Sequence, residues 1–369
     1  MRVKLLPTYI FVLSLAACSS EPAPSPTPDA SGGSAGTPAA GGSAGAPSAG
    51  TGGSAAGSGG GAGTATGGAG GATAGSAGQA GSAGTGGGSE GGAGGAEGGP
   101  DLAIMTFNIR YGTADDGDNA WPLRKYLVFE IIRDKLPDSM GLQEALLFQL
   151  EELDAEFPEY DRVGVGRNDG VESGEFAAIM YKTEKLEVLD SGTFWFSDTP
   201  DEIGSIDWEA SLPRICSWAH FQEKATGRSY YHYNIHIDNA SELARVNSVK
   251  LLMSRVVARE VTTDPVIVTG DFNTGEASVP IQFMKGATTI DDSENPLPLL
   301  DSFRVVDPDE TMVGTFSEFT GVSDGEKIDY IFTDTLQAIE AEIIRDNDAG
   351  RYPSDHFPVR ALFDGAAWQ

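Results

Sequence analysis

From Asp101 onward the sequence predicts an α/β fold: two mostly antiparallel sheets packed face to face, with helices on the outside. Three observations predict it. Apolar runs of four to eight residues, rich in Val, Ile, Phe and Tyr, recur along the segment. Only two or three stretches have helical periodicity. The order is mixed, with hairpin-like strand runs between helices, which disfavours a doubly wound parallel sheet.

The elements follow in order. LAIMTFNI reads as a strand, and Pro122 to Leu136 as a helix with proline in its first turn and Leu123, Leu127 and Ile131 at helical spacing. SMGLQ is a buried strand and residues 145–157 a second helix. FAAIMY, VLDSGTFWF, ICSWAHF and SYYHYNIHI read as strands. Residues 241–260 form the longest helix, with Ser241 as N-cap and Leu243, Val246, Val249, Leu252, Val256 and Val257 inward. PVIVTGD is a buried strand, and LLDSFRVV, KIDYIFTD, AIEAEIIRD and HFPVRALF complete the segment.

The first hundred residues are different. Arg2 and Lys4 precede an apolar stretch from Tyr9 to Ala17, which is too short to span a bilayer, and small residues follow. This predicts a secretory signal over 1–17. The LAAC run resembles a bacterial lipobox, which implies cleavage before Cys18, lipidation of its thiol and an exported, membrane-anchored protein of the cell envelope. Ser19 after that cysteine resembles outer-membrane sorting in Gram-negative bacteria. Residues 18–100 are Gly, Ser, Ala, Thr and Pro in loose repeats, which cannot offset chain entropy by burial and are expected to be a disordered tether. Residues 101–369 suffice for one large core. Cys216 is then the remaining cysteine, expected in packing, so no intramolecular disulfide is expected.

The segment from Asp101 holds 22 basic and 50 acidic residues, a net charge of −28. Duplex nucleic acid favours basic faces, because binding releases counterions. A stable nucleic-acid complex is therefore not expected, and the chain is expected to act as a monomer. A small phosphoester held through a metal remains compatible with this charge.

Six patches put Asn, Asp, Glu or His at or near the ends of apolar runs: Asn108, Glu144, Asn234 with His236, Asp271 with Asn273, Asp329, and Asp355 with His356. Together they read as strands ending on one rim and offering oxygen and imidazole to one cleft. A hard cation and a phosphate suit that donor set.

TFNIR, LQE, NIHID, TGDFN, KIDYIF and SDHFPV, in that order, resemble the motifs of the endonuclease/exonuclease/phosphatase superfamily across 101–369. The resemblance implies a four-layer α/β/β/α sandwich and a divalent-metal-dependent phosphoesterase, using Mg²⁺ or Mn²⁺, that drives an activated water in line at phosphorus. It implies Asn108, Glu144 and Asp355 on the metal side. Asp271 and Asn273 would position water and phosphate. His356, oriented by Asp329, and His236, oriented by Glu175, would complete the catalytic set. Arg214, Asn234, Arg167 and Arg245 would bind phosphate or substrate, with Asp169, Trp195 and Trp208 as further candidates. His220 and His232 read as packing residues. Arg110 stands where abasic-site enzymes of the superfamily often carry an acid, which weakens the case for a second metal. Four readings stay open: a small-molecule phosphodiesterase or phosphomonoesterase, an extracellular nuclease, a sphingomyelinase-like or sugar-phosphate phosphodiesterase, and a surface-displayed binding module without catalysis.

Overall fold

The structure is a computed structural model that describes residues 99–368. The signal, the lipidated Cys18 and the tether expected from the sequence lie outside those residues. No helix among the described residues is long and apolar enough to cross a membrane.

Strands β1 (Leu102–Asn108), β2 (Ser139–Ala145), β3 (Tyr160–Val163), β4 (Phe176–Lys182), β11 (Ala338–Ile343) and β12 (Val359–Phe363) form the first sheet. Its order is β11-β12-β1-β2-β4-β3. Strands β5 (Leu186–Trp195), β6 (Ile215–Glu223), β7 (Ser229–His236), β8 (Val266–Asp271), β9 (Leu300–Asp301) and β10 (Asp329–Thr333) form the second, in the order β5-β6-β7-β8-β10-β9. Each sheet contains a single parallel pair, β1 with β2 and β7 with β8; every other pairing is antiparallel. Five α-helices accompany them: α1 (Trp121–Lys135), α2 (Leu147–Glu156), α3 (Glu242–Val257), α4 (Val279–Met284) and α5 (Ser302–Val306).

The layers follow from where the apolar side chains go. One core joins α1 and α2 to the outer face of the first sheet through Val128, Ile132, Leu150, Met140 and Leu142. A second lies between the sheets, where Leu102 and Ile104 meet Phe221, Ile267 and Ile331. A third packs Val249, Leu252 and Val256 of α3 against Tyr233, Ile235 and Val268. This is the α/β/β/α sandwich.

The space between the sheets is also polar. Thr269 donates to Asn234 Oδ1 at 3.0 Å, Gln143 Nε2 donates to the same oxygen at 2.6 Å, and His232 bridges Ser139 and Thr269 at 3.0 and 2.8 Å. A Cβ at Gly141 would collide with Asn234 and Thr269, so glycine lets β2 approach the facing sheet. Burial pulls the His232 ring down to about 3, so it is neutral and serves packing.

Several local expectations change. LLDSFRVV holds a two-residue strand and then α5, because the Asp301 side chain accepts the Phe303 N–H and caps a helix there. Residues 145–146 belong to the end of β2 and a cap, so the second helix starts at Leu147. Leu243, expected inward, and Leu123, at helical spacing with Leu127 and Ile131, are each 48% exposed. Strand β3 is not evident in the pattern, since only Tyr160 of its four residues is buried.

Candidate active site

The rim is built from strand ends. Asn108 closes β1, His236 closes β7, Asp271 closes β8 and Asp329 opens β10. Asp329 pairs in register with Asp271, and His236 pairs with Asp271 across the parallel β7–β8 ladder. Register alone therefore sets two carboxylates and an imidazole side by side. Asp355 and His356 arrive from the segment just before β12.

Asn108 is the hub. Its Nδ2 donates to Glu144 Oε1 at 3.1 Å and to Asp271 Oδ2 at 3.0 Å, and lies 3.5 Å from His356 Nε2. Glu144 is aimed by an irregularity: the β2–β4 register shifts between Leu142 and Ala145, and Glu144 takes φ +60°. Arg110 and Asn273 also have left-handed backbones, φ +56° and +50°. Such conformations cost energy for residues with a Cβ and persist where surrounding contacts fix them. At Arg110 the fixing contacts are visible: its carbonyl accepts from Arg124 and Gln149, each at 3.0 Å. Arg124, fully buried on α1, also donates to the carbonyls of Ile109 and Pro353 at 2.9 and 2.7 Å. It thereby clamps the Asn108 segment to the Asp355 segment.

His356 Nδ1 meets Asp329 Oδ2 at 2.9 Å, and its Nε2 lies 3.8 Å from Asp271 Oδ2. Burial works against charge on this ring, but Asp329 and Asp271 outweigh it and raise its affinity for a proton well above the ordinary value. His236 is the opposite case. Burial, then Arg214 and Arg167, push it well below the ordinary value, so the ring is neutral. Its Nε2 lies 3.3 Å from Arg214 and 3.6 Å from Asp271 Oδ2, and its Nδ1 lies 3.7 Å from Glu175. Asp271 stands between the two rings. Burial and Asp329 raise its carboxyl to about 7. The Asn273 N–H holds its other oxygen at 2.8 Å.

Glu175 is gripped bidentately by Arg167 at 2.7 and 2.8 Å. Arg214 reaches Asn239 at 3.0 Å and faces Asp238 at 3.5 Å. Arg245 stands further out, bonded to the Asp238 carbonyl at 3.1 Å. Among the further candidates, Trp195 donates to the Arg167 carbonyl, Trp208 to Asp198, and Asp169 caps its own loop. Asn234 needs correction. It shares the strand face of His236 but lies two residues deeper, and its amide hydrogens are committed to the Leu142 and Ala178 carbonyls, both at 2.9 Å. It ties the sheets together and has no hydrogen left for a phosphate.

The acidic side fits a divalent metal. Asp271, Asp329 and His356 are buried with potential ligand atoms within 4.8 Å of one another, but a protonated His356 is no ligand, so the oxygen donors left for a metal are those of Glu144, Asp355 and Asn108. Asp329 Oδ1 is buried without a hydrogen-bond partner among the described residues. Glu144 and Asp355 stand nearby, and the Asp355 carboxyl is raised by burial and by Glu144. Arg110 lies 3.7 Å from Asp355 and 3.9 Å from Glu144, too far to hydrogen-bond either, while it grips Asp116 at 3.1 Å. Asn108 connects both acidic groups.

Arg110, Arg124, Gln149, Thr315 and Ser354 are supports for which the sequence pattern assigned no role. Thr315 Oγ1 accepts the Asp329 N–H at 3.1 Å, and Ser354 Oγ bonds the Asn108 carbonyl at 2.7 Å.

With this geometry, comparison with known proteins is decisive for class. Residues 105–356 match the model of the Endonuclease/Exonuclease/phosphatase family, and this chain belongs to that family. Members of the family depend on divalent metals, and this chain is a hydrolase acting on phosphoester bonds. Among solved structures it is similar to an endonuclease/exonuclease/phosphatase from Bacteroides vulgatus, at 36% identity and TM-score 0.66, covering 72% of this chain and 99% of that one. It is also similar to a mannosyl-6-phosphatase from Bacteroides thetaiotaomicron, at 32% identity and TM-score 0.64, covering 71% and 99%. TDP2 of D. rerio, complexed with a single-stranded DNA product, shares the fold at 17% identity and TM-score 0.56, covering 72% and 99%. A protein of Acanthamoeba polyphaga mimivirus is 30% identical over 163 residues, which span 42% of this chain and 60% of that protein.

Proposed function

We propose that this protein hydrolyses a small phosphoester, with Mg²⁺ or Mn²⁺ as its cofactor. The observation that carries the reading is Asp271: a buried carboxylate at a strand end, 3.6 and 3.8 Å from two imidazoles in opposite charge states. Glu144 and Asp355, with Asn108, would hold the metal, which when bound supplies Lewis-acid polarisation of a phosphoryl oxygen. Asp271, ionised above about 7, accepts the proton of the attacking water. The water oxygen bonds to phosphorus as the opposite ester bond breaks, and the released oxygen takes a proton from solvent. The His356 imidazolium and the Arg214 guanidinium offset charge developing on the phosphoryl oxygens. Asp329 keeps His356 charged and oriented, Glu175 faces His236, and Asn273 fixes the base.

Among substrates, a sugar phosphate stands first, supported by the likeness to the mannosyl-6-phosphatase. The charge of −28 from Asp101 onward argues against duplex DNA, which needs a basic stripe. The discriminating assay compares kcat/KM for mannose 6-phosphate, bis-p-nitrophenyl phosphate, sphingomyelin and plasmid at about 0.15 M salt, where surface fields fade within about 8 Å. Small phosphoesters are expected to be turned over best. Faster plasmid nicking, steeply suppressed by added salt, overturns this choice in favour of a nuclease.

We also propose export as a lipoprotein, on the LAAC sequence ending at Cys18. Cys18→Ser should move the protein from the membrane to the soluble fraction with unchanged specific activity. An unchanged membrane fraction contradicts the anchor.

A further inference from the structure

A cavity of about 360 Å³ opens on the helix-bearing face of the second sheet, beside its edge strand β5. It is separate from the cleft: its rings belong to the cluster that packs against α3, whereas His236 and Asp271 meet the first sheet's Asn108 and Glu175. Three rings, Trp218, Tyr231 and Tyr233, line it side by side, with centroids 6.2 to 6.3 Å apart and planes within 20° to 38°. The tyrosines are almost fully buried and form the floor, while Trp218 is partly exposed. The indole lies across Gly192 of the edge strand, where a Cβ would stand 2.9 Å from Trp218 Nε1. A glycine here lets the ring lie flat on the strand. The indole N–H makes no hydrogen bond among the described residues, unlike those of Trp121, Trp195 and Trp208.

The charges around the rings select the ligand. Asp190, Asp201 and Glu260 line the cavity, as do Arg255 and Arg259. Arg255 is closed on Asp201 by two bonds of 2.9 Å. Arg259 is spent on the carbonyls of Val256, Thr262 and Asp264. Both guanidiniums are partly engaged, and three carboxylates outnumber them in the lining, which disfavours an anion. Arg259 already lies 6.0 Å from the Tyr231 ring centre, and an organic cation would meet that charge. What remains is an aromatic platform edged by the acceptors Asp190 and Glu260 and a free indole donor. A neutral ring with one apolar face and several hydroxyls meets all three groups. Cavities of roughly this size hold small organic ligands.

We propose that this cavity is a carbohydrate-binding subsite, in which a pyranose stacks on Trp218 and its hydroxyls bond Asp190 and Glu260. The inference rests on the cavity and not on the reaction in the cleft, and a neutral sugar needs neither metal nor phosphate.

The test is calorimetric titration of the full-length protein, treated with EDTA, with mannotriose, cellotriose and tri-N-acetylchitotriose. At least one should bind with Kd of about 1 mM or tighter. Trp218→Ala should weaken binding at least about tenfold, a loss of ~1.4 kcal/mol. Gly192→Ala should do the same while retaining the indole, which guards against a fold defect in the first variant. Both variants should hydrolyse bis-p-nitrophenyl phosphate at the wild-type rate when metal is restored. Absence of binding by all three sugars overturns the proposal. So does binding unchanged in both variants, or Trp218-dependent binding of choline in place of sugar.

Discussion

The two halves of the cleft contain one histidine each, and the fold gives those histidines opposite charges. On one side His356 faces Asp329 and Asp271, with Glu144 and Asp355 beyond. On the other, His236 faces Arg214, with Arg167 behind Glu175. Both rings are buried, so desolvation lowers both; the neighbours decide the outcome. Residue type at a strand end therefore does not fix a role. Two carboxylates keep one imidazole charged against burial, whereas burial, reinforced by two guanidiniums, keeps the other neutral. Asp271 sits at the boundary, where burial and Asp329 raise it into the range useful to a base near neutral pH.

The most severe break of this arrangement is Asp271→Asn, which keeps shape and removes the proton acceptor. Single-turnover kinetics should show a loss of about 10⁴-fold, near the upper end for a general base. Retention of even a tenth of the rate would assign the base elsewhere. Next come the histidines. His356→Ala and His236→Ala should each lower kcat by about 10²-fold or more. NMR titration of the rings sharpens the contrast: the His356 ring should be protonated and the His236 ring neutral at pH 7, and two neutral rings would contradict the account.

The pH profile is a smaller effect. Below about 7 the Asp271 carboxyl holds its proton and cannot accept another, so kcat/KM should rise with pH through that region and then level. The rising limb should vanish in Asp271→Asn; a limb of the same midpoint in that variant assigns it to another group. Smallest in its effect on catalysis is Asn234→Ala. It removes a donor from the Leu142 and Ala178 carbonyls and an acceptor from buried Gln143 and Thr269, so unfolding by urea should show a loss of about 1–3 kcal/mol. The rate per folded molecule should stay within about threefold, because a group without a free hydrogen supplies no transition-state contact. A large fall in kcat with unchanged stability would return Asn234 to the phosphate.

The rim was legible in the sequence because a strand that ends in Asp, Asn or His after an apolar run has few places to put that side chain. Asn108, His236 and Asp271 converge on that logic. Depth was not legible: an alternation of two assigns Asn234 and His236 to one face and says nothing of which lies at the edge. Nor was backbone sign. The left-handed turns at Arg110 and Glu144 aim their side chains, yet neither is the glycine that would advertise such a turn. Arg124 carries no signal of its role within its helix, and only the assembled fold shows carbonyls of Ile109 and Arg110, of Asn119 and of Pro353 converging on it. LLDSFRVV is too short for periodicity to separate strand from helix, and the Asp301 cap decides it.

If the acidic half of the cleft holds the proposed divalent metal, hydrolysis depends on that metal and on Glu144. The most direct test is hydrolysis of bis-p-nitrophenyl phosphate by EDTA-treated protein as Mg²⁺ is titrated back, with Glu144→Ala alongside. The account predicts no turnover without metal, saturable recovery in the wild type, and a loss of about 10³-fold in Glu144→Ala that ordinary Mg²⁺ does not rescue. Hydrolysis at full rate in EDTA, or full recovery of Glu144→Ala at the wild-type Mg²⁺ concentration, would contradict it.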